Sequence, residues 1–451
     1  MMARCLHNLS ALVASLVLAS WTCAQDLGVS APAQQRPVAL TNAIVHTISG
    51  ETYAPGYVSF ENGVIVEAGP GDKIFGRDTD VLDLEGRHVW PGLIAPVTEL
   101  GLTEVASVRQ TRDFDEVGRF TPEARAATAV NPDSTLIPVT RSNGILTFVA
   151  FPSNGAVPGT ASIMRAEGWT WEDMALREDA GVIVNWPSMH PSQDWWADEP
   201  DAEQRERIRT RIGEIDTFFR EAQSYLGGEN PETSIRFEAL RPVLPGPDGA
   251  PPERPVFIFA NELDQITASV VWATGLGLRP VIIGGHDAPL CADLLLQHDV
   301  PIIIEGTQRF PKRDDSPHDE AYTLPSRLTE LGVRWCLASS DRTGHERNLP
   351  YNASKAIAFG LPMELGVRGV TLSTAEILEV DAALGSIEPG KAATLIVTDG
   401  HILEHATRVE QAFVDGRKID LANKQTALAE KYVEKYEQMG LLDPEARDGG
   451  D

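Results

Sequence analysis

Between residues 37 and 90 short apolar runs alternate with turn residues. VALTNAIVHTI, GYVSFENGVIVEAG and VLDLEGRHVW read as strands. Glu61-Asn62-Gly63 between two of them is a tight hairpin signal. No helix is needed in this stretch. From Pro91 the pattern changes, and apolar strand-like runs alternate with helical segments. HVWPGLIAPV leads into a helical stretch near 121–142, and ILTFVAF, TASIMRA and GVIVNW follow. A long charged helix is expected over 201–226, and the Pro/Gly-rich PVLPGPDGAPPER over 242–254 is a loop.

The clearest rhythm comes next. PVFIFA, PVIIGG, PIIIEG and VRWCLASS are built on apolar runs, and each precedes a helical pattern, at 262–276, 288–298, 321–331, and 351–369 with 373–380. Wholly apolar strands followed by helices are the mark of βα units with buried parallel strands. With the earlier strands the count approaches eight, which predicts an α/β fold, a (β/α)8 TIM-type barrel over 91–380. A doubly wound open sheet is the runner-up, weakened because no Gly-rich nucleotide loop follows any strand. After Glu379, LGSIEPGKAATLIVTDG and RVEQAFVDGRKID return to alternating strand character. The segments 37–90 and 381–421 are therefore expected to form one small β-sandwich domain from both chain ends. A polar helix and tail occupy 422–451.

Composition narrows the context. Of 451 residues, 42% are apolar and 23% charged, an ordinary globular balance. The formal charge of −27 argues against nucleic acid or anionic lipid as a partner, since phosphate binding needs clustered Lys and Arg. The first residues are different. Arg4 is the only formal charge before Asp26, LSALVASLVLAS has the length of a signal-peptide core, and Thr22 and Ala24 suit a signal-peptidase site. Residues 1–24 are thus expected to be a secretory signal peptide and 25–36 a disordered lead-in. The expected location is exported, periplasmic or secreted, with no stable membrane insertion after cleavage. An uncleaved anchor and lipidation at Cys23 are the alternatives, the latter with a poor lipobox. Cleavage leaves Cys291 and Cys336, read as two separate buried thiols.

Three stretches resemble the amidohydrolase superfamily, in its imidazolonepropionase-like branch: LEGRHVWPGLIAPVTELGL at 84–102, SDRTGHERNLPYNASKAIAFGLP at 340–362, and LGSIEPGKAATLIVTDG at 384–400 followed by RVEQAFVDGRKI. The resemblance covers nearly the whole mature chain. It implies an active site at the C-terminal mouth of the barrel strands, where one or two divalent metals activate water for attack on a C–N bond, non-peptide or cyclic amides among them. In the family, strand 1 ends in His-x-His, strand 4 gives a Lys or Glu, strands 5 and 6 each give a His, and strand 8 gives the Asp that takes the proton.

This chain departs from that pattern. Val97 and Glu99 stand at the histidine positions of strand 1, Asn185 and Trp186 close strand 4, and Phe259 replaces the strand-5 His. Val and Phe have no lone pair for Zn²⁺. A binuclear centre is excluded on these residues. Glu99, His286 and Asp341 remain as the ligands of one divalent metal, with Zn suspected, or of none, and Asp341 matches the catalytic carboxylate. His345, Arg347 and Tyr351, in and after the loop that leaves strand 8, are candidate substrate contacts, and His190 is a further candidate for the mouth.

Three readings follow. The first is an exported hydrolase of C–N bonds with a reduced one-metal site. The second is a catalytically silent barrel that binds a small molecule or assembles with an active amidohydrolase relative, as a homo- or hetero-oligomer. The third is a metal-free hydrolase using Asp341 with a group such as His345, which lacks any nucleophile motif to support it.

Overall fold

The computed structural model describes residues 28–192, 199–228, 232–246, 249–339 and 343–442. The expected signal peptide lies outside them. Residues 28–36, expected as a disordered lead-in, are instead held against the folded chain. Ser30 is buried, the Ala31 amide donates to Glu167 at 2.8 Å, and Gln34 donates to the Phe60 carbonyl at 2.9 Å.

Both chain ends enter one sheet. Its N-terminal strands are β1 (Val38–His46), β2 (Thr52–Glu61), β3 (Val64–Pro70), β4 (Asp80–Asp83) and β5 (His88–Pro91). The turn between β2 and β3 is the one the sequence signals. Asn62 and Gly63 take φ of 51° and 81°, so the two strands pair antiparallel with Glu61 opposite Val64. From the other end come β14 (Leu395–Thr398), β15 (Val409–Val414) and β16 (Arg417–Ile419). The seam is β14 against β5, antiparallel, with Val397 opposite Val89. All eight strands belong to one hydrogen-bonded sheet, ordered β16-β15-β14-β5-β1-β2-β3 with β4 beside β1. Its own core contains Leu40, Phe60, Ile65, Leu395 and Phe413.

A single residue, Gly92, separates β5 from the barrel. The barrel strands are β6 (Leu93–Thr98), β7 (Ile145–Ala150), β8 (Thr160–Arg165), β9 (Ala175–Asn185), β10 (Val256–Ala260), β11 (Pro280–Gly284), β12 (Ile302–Glu305) and β13 (Trp335–Ala338). They pair in sequence order, and β6 and β13 lie side by side, so the sheet is nearly closed. One strand departs from the expected all-parallel barrel. β8 runs antiparallel to both β7 and β9. The reason is chain length. A parallel crossover needs a dozen or more residues, and the stretch from Ala150 to Thr160 is too short for one.

Side chains alternate across the barrel wall as the pleat requires. Val149, Ile183, Phe257, Ile283, Ile303 and Cys336 fill the interior. Their neighbours along each strand, such as Val184, Ile258, Ile282 and Ile302, pack outward in a second cluster with the surrounding helices. The α-helices of six residues or more among the described residues are α1 (Leu136–Arg141), α2 (Asp201–Gly227), α3 (Leu263–Gly275), α4 (Ala292–Gln297), α5 (Glu320–Glu330), α6 (Leu349–Ala358), α7 (Met363–Gly369), α8 (Leu372–Ile377) and α9 (Lys424–Gln438). The charged α2 buries Ile215, Phe219 and Ala222, one stripe at helical spacing, and leaves its Arg and Glu residues to solvent. The helix expected near 121–142 is reduced to two short pieces, Ala126–Ala129 and Leu136–Arg141, with Pro132 between them. Cys291 and Cys336 are separate free thiols, as expected, but only Cys336 is buried and Cys291 is half-buried. Among the described residues no helix is long and apolar enough to cross a membrane.

Candidate functional site: the barrel mouth

The inward parity of the strands decides what reaches the mouth. Two residues above Ile183 stands Asn185, two above Phe257 stands Phe259, and two above Ile303 stands Glu305. Phe259 and Glu305 line a cavity of about 490 Å³ together with Val97 and Glu99 from the end of β6, Phe151 beyond β7, and Thr343. Val97 and Phe259 thus put hydrocarbon at two of the positions where the resemblance places imidazoles, and Glu99 stands at a third.

Glu305 was not singled out in the sequence. Burial pushes its carboxyl above the usual carboxylate range, against the opposing pull of Asn261 and Arg309. Its partner is the Asn261 amide, Nδ2 to Oε2 at 3.5 Å. Asn261 is held there by backbone geometry. Gly284, on the neighbouring β11, has φ of 102°, and a Cβ on it would meet Asn261 Oδ1 at 2.2 Å. That oxygen is buried with no hydrogen-bond partner among the described residues. A buried acid of raised pKa beside an unsatisfied amide oxygen is a polar spot in an otherwise apolar pocket, the usual layout of a small-molecule site. The available signal was the single polar residue closing the apolar run PIIIEG, with the same parity as the inward-facing Ile303.

The candidate ligands divide. Glu99 faces the cavity and accepts a hydrogen bond from Thr103 at 3.1 Å. His286 is not among the cavity-lining residues. Its pKa falls to about 4, first through burial, then through the cations of Arg309 and Lys312. Asp341 lies outside the described residues. Asn185 is occupied structurally, since its amide donates to the carbonyls of Ser153 and Gly155 at 2.8 and 2.9 Å.

The loop after β12 supplies those cations and folds over the ends of β10 and β11. Arg313 binds Asp287 through two hydrogen bonds, at 3.0 and 2.6 Å, and Asp287 also accepts from the Leu263 amide at 3.1 Å. Lys312 pairs with Glu262 at 3.2 Å and Arg309 with Glu320 at 3.2 Å. His286 thus stands beside Arg309 and Lys312, each already paired with a carboxylate, and among groups committed to one another. Together with Val97 and Phe259, this makes the mouth a poor fit for the superfamily's metal centre.

One group of three metal-capable side chains does form among the described residues. His190 on the loop after β9, Glu262 just before α3 and Asp264 in its first turn place ligand atoms within 4.8 Å of one another. His190 Nε2 lies 2.8 Å from Asp264. Glu262 is already engaged by Lys312.

The remaining predicted contacts lie elsewhere. His345 is exposed. Arg347 donates to Gln425 at the start of α9, at 2.7 Å. Tyr351 stacks on His405 and lines a different cavity.

The barrel architecture is shared with solved amidohydrolase structures. An amidohydrolase from Thermotoga maritima MSB8 superposes with a TM-score of 0.74 at 22% identity, covering 85% of this chain and 99% of that one. A Xaa-Pro dipeptidase with methionine bound in its active site gives 0.54 at 13% identity, covering 85% and 100%. Molinate hydrolase gives 0.51 at 14% identity, covering 87% and 96%. No family model and no curated protein matches the sequence. At these identities the likeness establishes the fold: a mixed α/β chain with the nearly closed barrel of amidohydrolases.

Proposed function

We propose that this chain is an exported protein of the amidohydrolase superfamily, close to its imidazolonepropionase-like branch, that binds a small organic molecule at the barrel mouth and has lost two-metal hydrolysis of C–N bonds. The observation that carries this reading is the mouth cavity itself. Val97 and Phe259 supply hydrocarbon where metal ligands would be needed, and Glu305 with Asn261 supplies one polar anchor. The Glu305 carboxyl offers a hydrogen-bonding partner to a polar ligand group, and Asn261 Oδ1, buried without a partner among the described residues, accepts from a ligand N–H. An amide or a cyclic amide carries both groups, so the pocket suits the superfamily's substrate class without its chemistry.

A second reading retains hydrolysis with one metal held by Glu99, His286 and Asp341. It is favoured by Glu99 sharing a cavity with Thr343, two residues past Asp341. Metal analysis of the mature protein separates the two, run alongside turnover of amides, Xaa-Pro dipeptides and hydantoin-like rings with added Zn²⁺ or Mn²⁺. Substoichiometric metal and no turnover are expected. A stoichiometric ion with turnover abolished by Glu99→Gln would replace the first reading by the second. Export is tested by N-terminal sequencing of periplasmic material, with Gln25 expected as the first residue.

A further inference from the structure

A second cavity, of about 590 Å³, lies away from the mouth, between the loop after β12, α5, α6 and the loop after β14. Its walls are aromatic. Tyr351 on α6 stacks on His405 with ring centroids 3.9 Å apart and planes at 14°. Phe310 stands on the facing loop and is 92% exposed. An aromatic ring left so open beside a stacked pair has an unused face, and a planar ligand would cover it.

The charge of this cavity is opposite to that of the protein. The chain carries a formal charge of −27, yet the lining holds Arg309 and Lys355 and no Asp or Glu. Arg309 is committed in part, to Glu320 and to the Phe310 carbonyl, each at 3.2 Å, while its Nε is buried without an acceptor among the described residues. Lys355 holds its ammonium over Tyr322, 4.6 Å from the ring centroid, and 5.3 Å from that of Phe359. Those aromatic faces fix the ammonium at the cavity wall, and no carboxylate among the described residues neutralises it.

We propose that this cleft binds a planar aromatic anion, an arene carboxylate, with its ring against Phe310 and the Tyr351–His405 stack and its carboxylate on Lys355. Ring and charge are both required. The ring covers apolar surface that water now wets, and the carboxylate meets a cation that is already oriented. The site is separate from the mouth and stands whether or not the mouth retains chemistry.

The test is calorimetric titration of the mature chain with 2-naphthoate, with acetate as the charge without the ring and 2-naphthamide as the ring without the charge. Saturable one-to-one binding of naphthoate is expected, with neither comparator competing. Lys355→Met and Phe310→Ala should each weaken it at least about tenfold, while Glu305→Gln at the mouth leaves it unchanged. Phe310 is exposed on a loop, so its variant retains the fold and serves as the independent arm. Naphthamide binding as tightly as naphthoate, or naphthoate binding insensitive to both cleft variants, overturns the proposal. A concentration-dependent dimer that Phe310→Ala dissociates, without naphthoate uptake, assigns the cleft to self-association instead.

Discussion

Acid sensitivity follows from three histidines at the seam between the chain ends. His46 on β1 stacks on Trp90 with ring centroids 3.4 Å apart and planes at 2°, and its Nε2 lies 2.9 Å from His88 Nδ1. His401, beyond β14, stands edge-on at 6.5 Å. Burial first, then His88 and His401, lower the His46 pKa from 6.5 to about 3. A pKa lowered on folding means that the unfolded chain takes the proton more readily. Stability from this group is therefore fully present above about pH 6.5 and is lost as pH falls from there towards about 3. Between pH 7.5 and pH 5 the unfolded His46 gains its proton and the folded one does not. At about 1.4 kcal/mol per pH unit over about one and a half units, that removes about 2 kcal/mol.

His88 and His401 beside it are also lowered by burial, and His286, lowered to about 4, adds a slope from another part of the molecule, so the wild type alone does not isolate the effect. The variant His46→Phe does, because it keeps a ring on Trp90 and removes the titrating nitrogen. Urea unfolding followed by tryptophan fluorescence at pH 7.5 and pH 5 should show the wild type losing about 2 kcal/mol more than the variant over that interval. A common loss of stability in both proteins, equal to within about 0.5 kcal/mol, would refute the reasoning, because His46 would then titrate alike folded and unfolded.

Glu305→Gln should raise the melting temperature at pH 8 and leave it nearly unchanged at pH 4, since burial disfavours the charged carboxylate that the folded wild type carries only at higher pH. Arg313→Met should cost about 1–3 kcal/mol in urea unfolding, because it strips the buried Asp287 of both guanidinium bonds and leaves only the Leu263 amide. Phe257→Ala, inside the barrel at 0% exposure, should cost about 3–5 kcal/mol, through lost transfer energy and the cavity left behind. A loss near 1 kcal/mol would mean that the interior collapses around the gap.

Much of the architecture is written in local pattern. Apolar runs such as PVIIGG and PIIIEG could only be buried strands, the hairpin at Asn62-Gly63 followed from its turn residues, and alternating strands at both ends pointed to one β-domain shared by the termini, whose strands join in a single sheet where a sandwich was expected. The hydrocarbon at Val97 and Phe259 was equally plain, because no fold turns a valine or a phenylalanine into a metal ligand. Other features depend on partners distant in the chain. The direction of β8 was set by the room its connections had. Glu305 became a mouth residue through strand parity and the approach of Asn261 past Gly284. Tyr351, grouped by position with the loop after β13, turned to His405. His46, His88 and His401 look like isolated polar residues until β5 and β14 pair and press them together. Sequence alone determined which segments had to be buried and which chemistry was absent, since burial and ligand capacity belong to residue types. The tertiary structure decided which side chains meet, since register, parity and charge pairing arise only between segments that folding brings into contact.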